Sequence, residues 1–158
     1  MTVPELREIG LFGALDDTAL AYLASSLEIM SRGADEVIFL EGDEAREFYV
    51  VLRGEVEIYK VLKRSAEARL ATLTPGHWFG EMSVLDVKRR SASVRTLLPC
   101  RLLVITARDL DALYRRDLKS YTLVVLNVAR ELARRLRMVD ELLADFIGSV
   151  RDQPIGYG

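Results

Sequence analysis

Glu81 and Arg90 stand nine residues apart in the run Phe79-Gly80-Glu81-Met82-Ser83-Val84-Leu85-Asp86-Val87-Lys88-Arg89-Arg90-Ser91-Ala92-Ser93-Val94. A glycine precedes the acid and small residues follow the base. Arginine offers a planar fork of donors that matches a phosphate, and a carboxylate accepts from a sugar hydroxyl. Gly80 lets the backbone approach a ligand closely, and a short helix beginning near Glu81 aims free N–H groups at phosphate oxygens. The set fits a small ligand that carries one phosphate charge and a sugar hydroxyl. The alternative is a surface salt bridge between Glu81 and Arg90 across a hairpin, which is weakly stabilising and gives the glycine and the small residues no task.

The elements that must position this pair follow from hydrophobic periodicity. A helical turn over 4–9 is followed by a helix capped by Asp16-Asp17, with Leu20, Leu23 and Leu27 at helical spacing. From about residue 28 to 107 the chain breaks into short β-rich runs, at 36–40, 47–52, 55–62, 69–73, 91–97 and 101–106. Ser31-Arg32-Gly33, Glu41-Gly42-Asp43, Arg53-Gly54 and Thr74-Pro75-Gly76 read as the turns between them. This spacing predicts an antiparallel β-roll, a jelly-roll-like barrel, flanked by helices. A short helix over 108–115 and a long one from about 118 to 148 complete the chain. The expected organisation is one domain over 1–158: N-terminal helices 1–27, β-roll 28–107 with the cassette at 79–94, C-terminal helices 108–150 and a tail 151–158.

In the long helix Val125, Ala129, Leu132, Leu136, Val139, Leu143, Phe146 and Val150 recur at alternating spacings of four and three, an a/d heptad seam. The seam is roughly 35–40 Å long at 1.5 Å per residue, too long for a roll of this size to cover. A second copy of the helix is the expected cover, giving a homodimer. Packing of one apolar stripe on the protein's own barrel is the alternative, and it suits the first half of the helix.

Composition excludes several classes. Half of the 158 residues are hydrophobic, enough for one proper core. Lys and Arg number 22 against 24 Asp and Glu, so no global field draws the chain to nucleic acid or membrane. Arg130, Arg134, Arg135 and Arg137 lie on different helix faces near Glu131 and Glu141 and form no DNA-binding stripe. The N-terminus lacks a leader pattern and no apolar run reaches a membrane span, so a cytoplasmic location is expected. One cysteine, Cys100, and one histidine, His77, provide neither a disulfide nor a His/Cys metal site. P-loop, Rossmann and GxSxG patterns are absent. Binding without turnover, with no catalytic residue, metal or catalytic cofactor, is the expectation, and His77 is read as a turn-edge residue.

The cassette resembles the phosphate-binding cassette of cyclic-nucleotide-binding domains, the family of bacterial catabolite activators, kinase regulatory subunits and nucleotide-gated channels. The resemblance rests on Phe79-Gly80-Glu81, eight intervening residues and Arg90-Ser91-Ala92, and covers most of the chain. It takes in Leu11-Phe12, Glu41-Gly42-Asp43, the run from Phe48 to Val56 with its Arg53-Gly54, and Gly76-His77-Trp78. Ala133-Arg134-Arg135-Leu136 is similar to the bacterial branch. The resemblance implies that Arg90 meets the cyclic phosphate and Glu81 the ribose 2′-hydroxyl, with amides of Gly80, Glu81, Met82 and Ser83 and the neighbours Ser91 and Ala92 around them. It implies Ile58 and Leu70 on the strands, and Arg135, Leu136, Val139 and Asp140 on the helix, as the surroundings of the base.

Val139 and Asp140 stand where the catabolite activator places a Thr-Ser pair. Asp140 is either an acceptor for a base edge, as in channels that favour cyclic GMP, or a solvated flank of the seam. Cyclic AMP is favoured over cyclic GMP on the bacterial look of the Arg134-Arg135-Leu136 segment. The reading is a receptor module that signals through its C-terminal helix to an unknown partner protein. A fragment of a transcription factor and a ligand-free dimerisation module are the alternatives. Only ten residues follow Gly148, too few for a helix-turn-helix, so a stand-alone module is expected.

Overall fold

The computed structural model describes residues 1–63 and 66–151; beyond 151 the expected tail lies outside the described residues. Helices α1 (Val3–Arg7) and α2 (Asp17–Ser26) flank a 3-10 turn at Gly10–Phe12. Eight strands follow: β1 (Glu28–Arg32), β2 (Val37–Phe39), β3 (Glu47–Arg53), β4 (Val56–Val61), β5 (Glu67–Leu73), β6 (Trp78–Phe79), β7 (Ser93–Thr96) and β8 (Cys100–Thr106). Helix α3 (Glu81–Leu85) sits between β6 and β7, and α4 (Ala107–Arg116) and α5 (Leu118–Arg151) close the chain. The strands form two four-stranded antiparallel sheets, β1-β8-β3-β6 and β2-β7-β4-β5, which is the expected β-roll.

The run Phe48-Tyr49-Val50-Val51 explains how the layers stack. Side chains alternate across a strand, and all four are buried. Tyr49 and Val51 turn inward to a core between the sheets with Phe39, Val56, Leu73, Phe79, Val94 and Leu102. Phe48 and Val50 turn the other way, with Trp78, Leu103 and Ile105, to a second core under the helices. The first sheet is therefore covered on both faces, as its continuous apolar runs require.

The helices start at defined caps, and one half-buried amide ties α5 to the N-terminal turn. Asp16 accepts from the Ala19 amide at the start of α2, and Thr106 with Asp109 forms a capping box at α4. Asn127 Nδ2 donates to the carbonyls of Leu11 and Gly13 at 3.1 and 3.0 Å, fixing α5 to the N-terminal turn.

Two expectations are corrected. Ser31-Arg32 belongs to strand β1, not to a turn; the segment is a largely exposed edge strand whose polar residues cost nothing at the surface. On α5 the barrel side takes Val124 and Val128, 2% and 3% exposed, rather than the seam positions Val125 and Ala129 one residue on. The seam itself stays uncovered: Leu136, Val139, Leu143, Phe146 and Val150 are each more than half exposed. Leu103, with no exposed surface, touches the helix-side core, and Leu103→Ala should lower stability by about 2–5 kcal/mol. Urea denaturation checks this; an unchanged midpoint would place that core elsewhere.

Candidate functional site: the cassette at 79–94

Strand β6 pairs with β3, Trp78 opposite Val50 and Phe79 opposite Tyr49, and delivers the chain to Gly80. Gly80 has φ 86°, the left-handed region, and caps α3. A Cβ there would lie 2.7 Å from Arg90 Nη1, so both conformation and space demand glycine. The return segment is held by the loop between β2 and β3. The Arg90 amide donates to the Asp43 carbonyl and the Gly42 amide donates to the Arg90 carbonyl, both at 2.9 Å. Glu41-Gly42-Asp43 thus places the arginine.

Arg90 is 3% exposed. Its Nη1 donates to the Gly80 carbonyl at 3.0 Å, and its Nη2 to the Glu47 carbonyl at 2.7 Å and to Glu47 Oε1 at 3.2 Å. The guanidinium lies 4.0 Å from the centroid of the Phe39 ring. Burial pulls its pKa down, and the Glu47 carboxylate works against that. Glu47 Oε1 also accepts from the Tyr49 hydroxyl at 2.9 Å. Arg90 Nε is buried and has no hydrogen-bond partner in the described structure. An orphaned buried donor on a charged group is costly.

Glu81 is 2% exposed and does not pair with Arg90. The surface salt bridge is therefore ruled out. Its partner is Arg135 on α5, whose Nη1 donates to Glu81 Oε1 at 3.0 Å. Arg135 Nη2 donates to the Trp78 carbonyl at 2.9 Å and its Nε to Glu131 Oε1 at 2.9 Å. Burial pushes the Glu81 carboxyl up, opposed by the Arg135 charge. Hydrogen bonding from Arg134, opposed by burial and reinforced by Arg135, holds Glu131 down at about 2.

The other expected site residues divide into two groups. Ser83 and Ala92 are buried beside the turn, with the Ser83 hydroxyl donating to the Arg89 carbonyl, while Met82 and Ser91 are exposed. Ile58 is half-buried beside the inter-sheet core, and Leu70, 56% exposed, bulges out of the β4–β5 ladder. Leu136, Val139 and Asp140 are exposed on α5 and are not brought against these strands. Arg135, expected near the base, is drawn instead to the carboxylate. His77 Nδ1 donates to the Thr74 carbonyl at 3.0 Å, within its own turn.

Glu47 and Phe39 were not foreseen. The signal for Glu47 was available: it precedes Tyr49 by two on an inward-facing register, an acid on a core face. Among the described residues, no helix is long and apolar enough to cross a membrane and no cluster of metal-ligating side chains occurs.

The geometry is a buried cation with an open donor and a buried carboxylate, arrayed about a glycine-capped helical turn. The family model for the cyclic nucleotide-binding domain matches residues 30–117. This chain belongs to the cyclic nucleotide-binding domain family. The cyclic AMP receptor protein of Thermus thermophilus is 39% identical over 124 residues, 78% of this chain and 54% of that protein. A CRP-like cAMP-activated global transcriptional regulator of Mycobacterium tuberculosis is 30% identical over 90% of this chain and 62% of its own length. The chain thus spans a little over half to about three-fifths of these relatives. A crystal structure of a cyclic nucleotide-binding domain from Methylobacillus flagellatus superposes with a TM-score of 0.82 at 27% identity, covering 90% of this chain and 83% of that one.

Two measurements probe the electrostatics of this cyclic nucleotide-binding domain. Glu47→Ala strips the carboxylate from a buried guanidinium and should cost about 1–3 kcal/mol in urea denaturation; no loss would show that the backbone carbonyls alone satisfy Arg90. Glu131 has a folded pKa below its ordinary 4.5, so its contribution is complete above about 4.5 and fades as pH falls toward about 2. The stability gap between wild type and Glu131→Gln should narrow over that window, and a gap independent of pH would contradict the Arg134 and Arg135 pairing.

Proposed function

We propose that this protein is a cyclic-nucleotide receptor that binds its ligand without turnover and signals through α5. The observation that carries the reading is Arg90: a buried guanidinium braced on three sides, with its Nε–H left without an acceptor. A cyclic phosphate supplies the missing acceptor and a matching charge. Glu81, buried beside the same turn, is the acceptor for the ribose 2′-hydroxyl. Cyclic AMP is the favoured ligand over cyclic GMP, supported by the names of the Thermus and Mycobacterium relatives.

The route to a signal runs through Arg135, which connects the ribose carboxylate to α5. A ligand that engages Glu81 alters that contact, and the helix responds to the extent that the ligand favours one of its positions over another. The exposed seam of α5 is read as the face for a second copy of this chain. A second reading is favoured by the Mycobacterium relative, a transcriptional regulator that this chain spans in part: the chain is then the sensing part of a larger regulator. Mass spectrometry of the product made in its own cell separates the two.

Calorimetric titration with cyclic AMP and cyclic GMP tests the receptor. Wild type should bind cyclic AMP more tightly. Arg90→Lys keeps the charge but loses the fork, and should weaken binding by at least about tenfold, since each charge-assisted bond contributes about 1.5–3 kcal/mol. No binding of either nucleotide overturns the receptor; unchanged affinity in Arg90→Lys overturns the phosphate assignment.

A further inference from the structure

Each of the three guanidinium nitrogens of Arg135 has one acceptor. Nη1 donates to Glu81 Oε1 at 3.0 Å, Nη2 to the Trp78 carbonyl at 2.9 Å and Nε to Glu131 Oε1 at 2.9 Å. The first two acceptors belong to the cassette segment, and the third lies on α5 itself, one turn before the arginine. Glu131 therefore sets the angle at which the guanidinium meets the site. It is held in turn from its other side. Arg134 donates from Nη2 to Oε1 at 2.6 Å and from Nε to Oε2 at 2.8 Å, a two-bond grip that fixes the plane of the carboxylate.

An ordinary i, i+4 ion pair lies in solvent and stabilises its helix only weakly. Here the Glu131 side chain is 15% exposed, and that of Glu81 beyond it 2%. Arginine favours a carboxylate with two parallel bonds, yet Arg135 takes only Oε1 of Glu81. With Nε on Glu131 and Nη2 on the Trp78 carbonyl, it has no second nitrogen to bring, and the Glu81 carboxylate keeps room for a further donor. The charge of Glu131 pushes the Glu81 carboxyl up rather than down. What Glu131 gives the site is geometry, not charge.

We propose that Glu131 is a positioning residue for sugar recognition: by holding Arg135 through Nε, it keeps that arginine to one bond on Glu81 and the carboxylate open to a 2′-hydroxyl. The inference rests on the reading of Glu81 as the ribose acceptor and adds how that acceptor is kept free. Without Glu131, Nε is released and the fork can turn onto both oxygens of Glu81, where it takes the place of the hydroxyl. The cost then falls only on a ligand that carries a 2′-hydroxyl. The phosphate side, where Arg90 is held by Gly80 and Glu47, has no contact with Glu131.

Calorimetric titration with cyclic AMP and with 2′-deoxy cyclic AMP tests this on wild type, Glu131→Ala and Glu131→Gln. Wild type should prefer the ribose form by about tenfold or more, the effect of one hydrogen bond to a charged group. Glu131→Ala should weaken cyclic AMP by about tenfold and leave the 2′-deoxy nucleotide within about twofold, so that the preference falls toward one. Alanine is the best helix former, so this variant is expected to fold. Glu131→Gln retains an oxygen that accepts from Arg135 Nε and should retain most of the preference. A wild type that binds neither nucleotide, or both equally, overturns the ribose reading of Glu81 and this inference with it. A wild type that discriminates, with a preference unchanged in Glu131→Ala or with both nucleotides weakened equally, overturns the positioning role and leaves Glu81 standing. Equal losses of preference in the alanine and glutamine variants overturn a brace made through the Nε hydrogen bond.

Discussion

The buried charge of Arg90 is the constraint around which the rest is arranged. A guanidinium removed from water is costly unless its donors and its charge are met. Here the charge and the Nη groups are met by residues from separate elements: Phe39 of β2, Glu47 of β3 and the Gly80 carbonyl where β6 passes into α3. The left-handed turn at Gly80 follows, because any side chain there would displace the guanidinium. So does the aromatic group of Phe39, Tyr49 and Phe79, whose rings lie 5.3–6.1 Å apart beneath the arginine and fill the end of the inter-sheet core. The same contacts leave one buried atom, Nε, without a hydrogen-bond partner.

The carboxylate side of the site is built on a different logic. Glu81 is equally buried, but its partner comes from α5, and α5 packs on the core over its first half, through Val124, Asn127, Val128 and Leu132. Arg135 marks the last turn of the helix that touches the cassette, and beyond it every described side chain is exposed. The arginine side of the site is thus set by the barrel and the carboxylate side by a helix that is free over its second half. That division is what the proposed receptor needs, with one end to grip the ligand and the other to report it.

Much of this was legible in the chain. The glycine, the acid and the base of the cassette declare themselves by spacing, and the strands by alternation between turn residues. The long helix declares itself by its seam. Glu47 was harder to read because its pairing with Arg90 joins residues 43 positions apart, beyond any local rule. Strand β1 was missed because an exposed edge strand needs few apolar residues and looks like a turn. Leu136, Val139 and Asp140 were expected around the base from resemblance, yet one chain alone leaves them in solvent. Periodicity shows that a residue belongs to a face but not what covers that face, and on α5 two adjacent faces, Val124/Val128 and the seam, have different covers.

The most direct test of the central claim is a crystal structure of the protein grown with cyclic AMP. The account predicts a phosphate oxygen within hydrogen-bonding distance of Arg90 Nε, with the Glu47 and Gly80 contacts retained and the ribose 2′-hydroxyl on Glu81. A nucleotide bound elsewhere, with Arg90 Nε still lacking a partner, would contradict it.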